Sequence, residues 1–248
     1  MAKVILITGG SRGIGAATAR LAALQGYAVA ISYVHNRATA DTVVAAITAA
    51  GGQALAVQAN VALEADVLRM FKQVDESLGR ITALVNNAGV LEVQSRVEHM
   101  TAERISRVLT INVLGSFLCA REAVRRMSTA HGGPGGAIVN LSSRASKLGS
   151  PGEYVDYAAS KAAVDTLTIG LAKEVAAEGI RVNAVSPGLI ETDIHASGGE
   201  PGRVERLKAS VPMGRGGAAE EVAQAVLWLL SDAASYTTGT VLDVSGGR

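Results

Sequence analysis

Residues 4–21 read VILITGGSRGIGAATARL, which places a four-residue apolar run, a glycine-rich loop and a segment of helical spacing in direct succession. The apolar run 4–7 is typical of a buried strand. Because Gly9, Gly13 and Gly15 carry no side chains, the backbone can turn sharply there and approach a bound phosphate group. Free amides and the helix dipole at the start of the following helix favour an anion. The stretch therefore predicts a strand, a phosphate-binding loop and a helix.

The rest of the chain repeats this alternation of short apolar runs and longer segments of helical spacing. The runs occupy residues 4–7, 28–33, 54–58, 83–86, 137–141, 181–186 and 240–244, and the helical segments occupy residues 14–25, 38–50, 64–78, 158–177 and 219–230. Runs that are apolar throughout are typical of parallel strands covered by helices on both faces. We therefore predict an α/β fold, a three-layer, doubly wound parallel sheet of the Rossmann type with about seven strands.

No linker or repeat divides the chain, so we predict one domain over residues 1–248. A length of 248 residues with 48% hydrophobic residues is enough to bury a sizeable core. The least regular stretch, residues 191–217, contains Gly198, Gly199 and Gly202 and joins a strand to a helix. Long loops of this kind often carry function, and we expect this one to be a mobile segment that binds substrate.

The charge and cysteine content exclude several classes of partner. Lys and Arg total 23 against 22 for Asp and Glu, so neither nucleic acid nor an acidic membrane surface is an expected partner. No apolar stretch reaches the length of a membrane span. The one cysteine, Cys119, cannot form an intramolecular disulfide, and we interpret it as a buried structural thiol in a cytoplasmic protein. We expect a small-molecule partner and no metal site.

The residues after the second predicted strand indicate which dinucleotide the glycine loop holds. An acidic side chain at this place hydrogen-bonds the ribose 2′-hydroxyl of NAD and would repel a 2′-phosphate. Residues 31–37 instead read ISYVHNR, with no acidic side chain. Arg12 in the glycine loop and Arg37 after the strand offer guanidinium groups suited to a phosphate; the alternative is that both are solvated surface residues. We interpret the pattern as NADP(H) binding.

Tyr157 and Lys161 are four residues apart and therefore share one face of a helix. A free tyrosine has a pKa of roughly 10, too high for efficient proton exchange near neutral pH, and a neighbouring cation lowers that pKa. Taken alone, the pair is more often found on a solvent-exposed helix face. Ser142 and Ser143 end the fifth predicted strand together. Since adjacent strand side chains point to opposite faces, we expect only one of these hydroxyls to serve a site.

These motifs occur together in the order and spacing of the short-chain dehydrogenase/reductase family, which the chain resembles over essentially its whole length. They are Thr8-Gly9-x-x-x-Gly13-x-Gly15, Asn86-Asn87-Ala88-Gly89, Asn112, Ser142-Ser143, Tyr157-x-x-x-Lys161 and Ser186-Pro187-Gly188. The resemblance is to the compact, non-extended subgroup, which has members similar to NADP-dependent 3-oxoacyl-carrier-protein reductases and to sugar dehydrogenases. It implies an oxidoreductase that transfers a hydride between nicotinamide and a carbonyl or secondary alcohol carbon.

The resemblance also implies a role for each catalytic candidate. Tyr157 would be the general acid/base, and Lys161 would lower its pKa and hold the nicotinamide ribose. Ser143, rather than Ser142, would hydrogen-bond the substrate oxygen, although its distance from Tyr157 is one residue longer than is usual in the family. Asn112 would position a water that links Lys161 to solvent as a proton relay.

The set of cofactor-binding residues is likewise implied by the resemblance. It comprises Gly9, Ser11, Arg12, Gly13, Ile14, Gly15, Tyr33, Asn36, Arg37, Asn60, Val61, Asn87, Ala88, Gly89, Tyr157, Lys161, Pro187, Gly188, Ile190 and Thr192. Asn60 departs from the family pattern, in which an aspartate usually meets the adenine amino group, but an amide oxygen can accept the same hydrogen bond. The family is commonly tetrameric, and we expect a homotetramer with the helices around 112–126 and 158–177 paired across an interface.

Two alternatives to a carbonyl reductase stay open. One is a sugar or polyol dehydrogenase that works in the oxidative direction, and the other is a non-catalytic NADP-binding protein, which would have no need of all four catalytic candidates. The substrate is not named by the sequence, although a 3-oxoacyl thioester is plausible by resemblance. Glu153, Asp156 and His195 are candidates for a polar substrate pocket, or are ordinary surface residues.

Overall fold

Seven parallel strands form one sheet in the computed structural model, which describes residues 3–248. The strands are β1 (Lys3–Ile7), β2 (Tyr27–Tyr33), β3 (Ala54–Gln58), β4 (Ala83–Asn86), β5 (Gly136–Leu141), β6 (Ile180–Pro187) and β7 (Val241–Val244). Their spatial order is β3-β2-β1-β4-β5-β6-β7, and every neighbouring pair is parallel. The predicted fold class and strand number are confirmed. The first two residues of the predicted domain lie outside the described residues.

Helices cover both faces of the sheet. They are α1 (Gly13–Leu24), α2 (Arg37–Ala49), α3 (Glu64–Leu78), α4 (Ala102–Leu109), α5 (Gly115–Met127), α6 (Ala145–Leu148), α7 (Val155–Val175), α8 (Ile194–Ser197), α9 (Arg203–Leu207) and α10 (Ala219–Leu230). A π-helical turn, Thr110–Leu114, joins α4 to α5, and single 3-10 turns lie at Val97–His99, Thr129–His131, Ala176–Glu178, Lys208–Ser210 and Asp232–Ala234. The five predicted helices are present as α1, α2, α3, α7 and α10, and α5 overlaps the helix expected around 112–126, whereas α4, α6, α8 and α9 were not among the predictions. None of the helices in residues 3–248 combines the length and the apolar character that a bilayer span requires.

Two apolar layers, one on each face of the sheet, form the core. Ile5 and Ile7 of β1 pack in the layer with α1, α2 and α10, while Leu6, which lies between them, packs in the layer with α3, α5 and α7. This alternation follows from the two-residue period of a strand, and each large side chain buried in this way contributes about 1.5–3 kcal/mol. Cys119 belongs to the second layer, where burial raises the pKa of its thiol to about 12. A thiol in this state is inert, which agrees with a structural role.

The order of the strands changes direction at β1: β2 and β3 lie on one side of it, and β4 to β7 lie on the other. Strand β1 pairs with β2 on one side and with β4 on the other, so the loops after β1 and β4 emerge side by side. Asn87 joins the two loops, because its Nδ2 donates hydrogen bonds of 2.9 Å to the carbonyl oxygens of Thr8 and Gly9. Sheets of this kind bind ligands outside the carboxyl ends of the strands at such a point. The topology therefore predicts a ligand site at the carboxyl ends of β1 and β4.

Candidate active site

Tyr157 and Lys161 stand one turn apart near the start of α7, beside the carboxyl end of β5. The Lys161 ammonium lies 5.7 Å from the centre of the Tyr157 ring. It also donates a hydrogen bond of 2.6 Å to the carbonyl oxygen of Leu141, the last residue of β5. Only 4% of Lys161 is exposed to solvent, so its charge is buried among groups that the fold holds in place. The structure thus brings together the phenol and the ammonium that the sequence paired.

Burial controls the protonation of both groups. It lowers the pKa of Lys161 to about 8, and the nearby carboxylate of Asp165 only partly offsets this effect. It raises the pKa of the Tyr157 phenol above its ordinary value, and a hydrogen bond with Ser143 acts in the opposite direction. Burial therefore opposes the lowering of the Tyr157 pKa that the sequence led us to expect from Lys161. In the protein alone, the phenol is held in its protonated form.

The two neighbouring serines at the end of β5 point to different partners. The Ser142 hydroxyl is buried and donates to the carbonyl oxygen of Lys161 at 3.4 Å. The Ser143 hydroxyl accepts a hydrogen bond of 3.1 Å from the backbone N–H of Ala145, and it lies close enough to the Tyr157 phenol to lower the pKa of that group. Ser143 is therefore the hydroxyl that stands beside the phenol, while Ser142 braces α7 against the sheet.

Asn112 lies in the π-helical turn between α4 and α5, with 1% of its surface exposed. Its Nδ2 donates to the carbonyl oxygen of Val90 at 3.1 Å and to the Ser160 hydroxyl at 3.0 Å, and its Oδ1 accepts from the backbone N–H of Val90 at 2.8 Å. Both amide protons are therefore used within the protein. Asn112 ties the segment after β4 to α7, and the water relay expected of it stays a prediction.

The glycine loop between β1 and α1 has the form of a cradle for a pyrophosphate. A Cβ atom at Gly15 would lie 2.5 Å from Asn87 Nδ2 and 2.7 Å from the carbonyl oxygen of Gly9, so only glycine fits. Gly13 has a φ of +53°, in the left-handed region that favours glycine, and faces the Thr192 side chain. No side chain caps α1, which leaves its first amides free for an anion. The residues present therefore fit the phosphates of a dinucleotide.

The side chains expected near the adenosine ribose differ in whether they already have a partner within the protein. Arg12 is exposed and forms no ion pair within residues 3–248, whereas Arg37 pairs with Asp41 at 3.4 Å. Asn36 caps α2 by accepting a hydrogen bond of 3.0 Å from the backbone N–H of Thr39. Tyr33 is 7% exposed and packs in the first apolar layer. Arg12 is thus the cation best placed to bind an added phosphate.

The remaining predicted cofactor residues border the same edge of the sheet. Asn60 Oδ1 accepts a hydrogen bond of 3.1 Å from the backbone N–H of Ala62, so one of its two lone pairs is already used. The neighbouring Val61 is 5% exposed and packs against Gly115, where a Cβ would lie 2.7 Å from a Val61 methyl group. A cavity of about 160 Å³ lies beside Tyr157 and Lys161. The predicted cofactor residues that line it are Ile14, Asn87, Gly89, Tyr157, Lys161, Pro187, Gly188, Ile190 and Thr192.

The three residues suggested for a polar substrate pocket have different places. His195 lines the cavity. Glu153 is instead paired with Arg203 at 2.5 Å, and Asp156 is paired with Arg104 at 2.7 Å, and neither carboxylate lines the cavity. These two are therefore structural ion pairs.

Sequence reasoning missed Arg203, although it lines the cavity. This residue is 8% exposed and stacks on Tyr154, with its guanidinium carbon 5.0 Å from the ring centre. It begins the short helix α9, which has too few residues for a periodic pattern that would separate a buried arginine from a solvated one.

Comparison with known proteins adds relatives over the full chain. A family model described as Enoyl-(Acyl carrier protein) reductase matches residues 9–248. The chain is 61% identical over 245 residues to an uncharacterized oxidoreductase of Escherichia coli, with 99% of each chain covered. It is 40% identical over 247 residues to a 3-oxoacyl-[acyl-carrier-protein] reductase of Synechocystis, covering 99% of this chain and 96% of the relative. Among solved structures, a short-chain dehydrogenase/reductase from Serratia marcescens matches with a TM-score of 0.92 and 35% identity, covering 100% of this chain and 98% of the other.

Replacing Gly15 by Ala tests the cradle. We expect at least a tenfold (~1.4 kcal/mol) loss of affinity for a nicotinamide dinucleotide, because the added methyl group must displace Asn87 or the Gly9 backbone. The matched control is Gly170→Ala in α7, where nothing lies within 4 Å of the added Cβ. Titration of cofactor fluorescence measures both variants. Equal affinities for the two variants would contradict the close approach described here.

Replacing Lys161 by Met tests the burial of the ammonium through the pH dependence of stability. The folded pKa of about 8 lies below the ordinary value of 10.5, so between these two values the unfolded chain binds more protons than the folded chain. The charge therefore destabilises the wild type most below pH 8, and this penalty disappears as the pH rises toward 10.5. We expect the stability of the Met variant relative to wild type to fall by about 1–3 kcal/mol between neutral pH and pH ~10 in urea unfolding. A difference that does not change with pH would show that Lys161 titrates normally.

Proposed function

This chain belongs to the short-chain dehydrogenase/reductase family and is an oxidoreductase, and we propose that it uses NADP(H) to interconvert a carbonyl compound and its secondary alcohol. The observation that carries the proposal is the meeting of Tyr157, Lys161 and Ser143 in one cavity next to the glycine cradle. A protein that only bound a dinucleotide would have no use for a buried lysine and a protonated phenol at this place.

Ser143, Tyr157 and Lys161 each have a separate role in the proposed proton transfer. The chemistry that bound nicotinamide supplies is hydride transfer, which leaves binding, orientation and proton movement to the protein. In the reductive direction, Ser143 donates a hydrogen bond to the substrate carbonyl oxygen, and the protonated Tyr157 phenol gives its proton to that oxygen as negative charge develops there. Lys161 is cationic at neutral pH and stabilises the phenolate that remains. In the oxidative direction, the phenolate takes the proton back from the alcohol.

The preference for NADP(H) rests on the charge around the end of β2. Residues 34–37 contain no carboxylate that would repel a 2′-phosphate, and Arg12 is exposed and unpaired among the described residues. A guanidinium group binds phosphate through two parallel hydrogen bonds, which makes Arg12 the main contact in this proposal. Arg37 has the smaller part because it is already paired with Asp41.

We also propose that the protein is a cytoplasmic homotetramer. Large apolar side chains are exposed on the helices expected to pair, namely Phe117 of α5 at 49% and Ile169 of α7 at 42%. Leu114, at the end of the π-helical turn, is 46% exposed. Apolar surfaces of this kind are typical of contacts between subunits.

Replacing Tyr157 by Phe tests the proposed chemistry. We expect kcat for NADPH-dependent reduction of simple aldehydes, ketones and diketones to fall by about 10²- to 10⁴-fold, because the variant has no proton to give. Affinity for NADPH should stay close to that of wild type. Tyr236→Phe is the control, since that side chain is fully exposed. A Tyr157 variant that is as active as the control would remove the phenol from the mechanism.

Replacing Arg12 by Ala tests the choice of cofactor. We expect KM for NADPH to rise by roughly 10- to 100-fold, the loss of one charged hydrogen-bonding group, while KM for NADH changes little. The control is Arg20→Ala, which removes an exposed arginine of α1 that lies 3.9 Å from Glu220. Initial rates at varied cofactor concentration measure the effect. Parallel increases for both cofactors would assign Arg12 to the pyrophosphate or to folding instead.

A further inference from the structure

His195 lies in α8 and shares the cavity with Tyr157 and Ser143. Its Nε2 is 3.0 Å from the carbonyl oxygen of Ile190. A carbonyl oxygen can only accept a hydrogen bond, so Nε2 carries the proton and donates it in this contact. The other ring nitrogen, Nδ1, is then a hydrogen-bond acceptor, because a neutral imidazole carries one proton.

Nδ1 of His195 is buried and has no hydrogen-bond partner within residues 3–248. Among the described residues that line the cavity, it is the one buried acceptor atom left in this condition. The wall also has four cationic side chains, and none of them donates a hydrogen bond to Nδ1. Arg203 is paired with Glu200 at 2.8 Å and Arg144 with Asp243 at 2.8 Å, Lys161 is bonded to the carbonyl oxygen of Leu141, and Arg248 forms no ion pair within residues 3–248. A buried acceptor without a partner costs about 1–3 kcal/mol, so a donor that reaches it is strongly favoured.

The surroundings restrict what kind of donor that can be. Burial lowers the pKa of His195, and the positive charge of Arg203 acts in the same direction, so the imidazole stays neutral at physiological pH. Arg203 also disfavours a cationic ligand group nearby, and the Nδ1 lone pair disfavours an anion. The neighbouring cavity wall is apolar, with Leu91, Leu148 and Ile194. A small neutral donor, such as an alcohol, fits these conditions.

We propose that Nδ1 of His195 accepts a hydrogen bond from a hydroxyl group of the substrate, so that the enzyme selects carbonyl compounds carrying a hydroxyl a few bonds from the reacting carbon. This inference rests on the proposed function and adds the substrate class to it. A substrate hydroxyl that is buried against the apolar wall without a partner loses its hydrogen bonds to water, which costs free energy. A hydroxyl that reaches Nδ1 has a partner there, and Nδ1 gains one as well. A methyl group in the same place leaves the acceptor unpaired.

The test uses pairs of ketones in which a terminal hydroxyl replaces a terminal methyl group of the same size. The first pair is hydroxyacetone and butanone, and two further pairs lengthen both members by one and by two methylenes between the carbonyl and the terminal group. For at least one length, we expect the wild type to prefer the hydroxyl member by about tenfold in kcat/KM. If NADPH is consumed with neither member of any pair, the proposed function and this inference both fail. If both members of every pair react equally well, the proposed function stands and the inference alone fails.

Two variants separate recognition of the hydroxyl from support of the backbone. His195→Asn keeps an acceptor at the position of Nδ1 and loses the donor to Ile190, whereas His195→Gln keeps a donor near the position of Nε2 and loses the acceptor. We expect the Asn variant to retain the preference for the hydroxyl member and the Gln variant to lose it, with the kcat/KM ratio falling from about tenfold to about one. The ratio within a pair corrects for any general loss of activity. The reverse order, with Gln retaining and Asn losing the preference, would assign His195 to holding Ile190 and would overturn the inference.

Discussion

A buried ammonium group, that of Lys161, attaches α7 to the end of β5 and so helps to fix the orientation of this helix against the sheet. Lys161 is removed from solvent, and its hydrogen bond to the carbonyl oxygen of Leu141 offsets part of a desolvation cost of several kcal/mol. The buried residues of α7, such as Val164, Thr168 and Val175, recur at helical spacing, so apolar packing turns one broad face of the helix toward the sheet. Polar contacts on that face fix the rotation further: the Ser142 hydroxyl bonds to the carbonyl of Lys161, and Asn140 Nδ2 donates to the Thr168 hydroxyl at 2.9 Å. Such contacts are satisfied in one register only.

The position of the phenol follows from that register. Tyr157 is one turn before Lys161 and therefore faces the same end of β5, where the Ser143 hydroxyl meets it. The π-helical turn brings a third segment to the same place, because its widened backbone presents Asn112 to Val90 and to α7. Three segments that are distant in sequence are thus joined by buried hydrogen bonds. Each polar group left unpaired in this interior would destabilise the fold, so these hydrogen bonds favour one arrangement of the site.

The parts of the structure that depend on local pattern were predictable, and the parts that depend on distant partners were not. The strands and long helices follow from apolar periods, and the sequence placed Tyr157 and Lys161 on one helix face, where the structure has them. The π-helical turn has no such period. The helices α8 and α9 are short, and ion pairs hold their segment, such as that between Arg203 and Glu153, which are 50 residues apart in the chain. Read from sequence, Glu153 and Asp156 were free polar groups, since nothing local reveals that arginines neutralise them.

Those distant ion pairs connect the segment 191–217 to the residues that directly precede Tyr157 in the chain. Arg203 binds Glu153, and the Tyr154 hydroxyl donates to the carbonyl oxygen of Gly198 at 3.4 Å, so residues 153–154 hold the segment from the side that leads directly into α7. The Arg203 guanidinium lies between the carboxylates of Glu153 and Glu200 and against an aromatic ring. Its burial is favourable only while these partners stay in place. Movement of the segment away from the cavity would therefore separate the buried Arg203 guanidinium from its partners. These contacts thus link the cavity wall that contains His195 to the start of the helix that carries Tyr157.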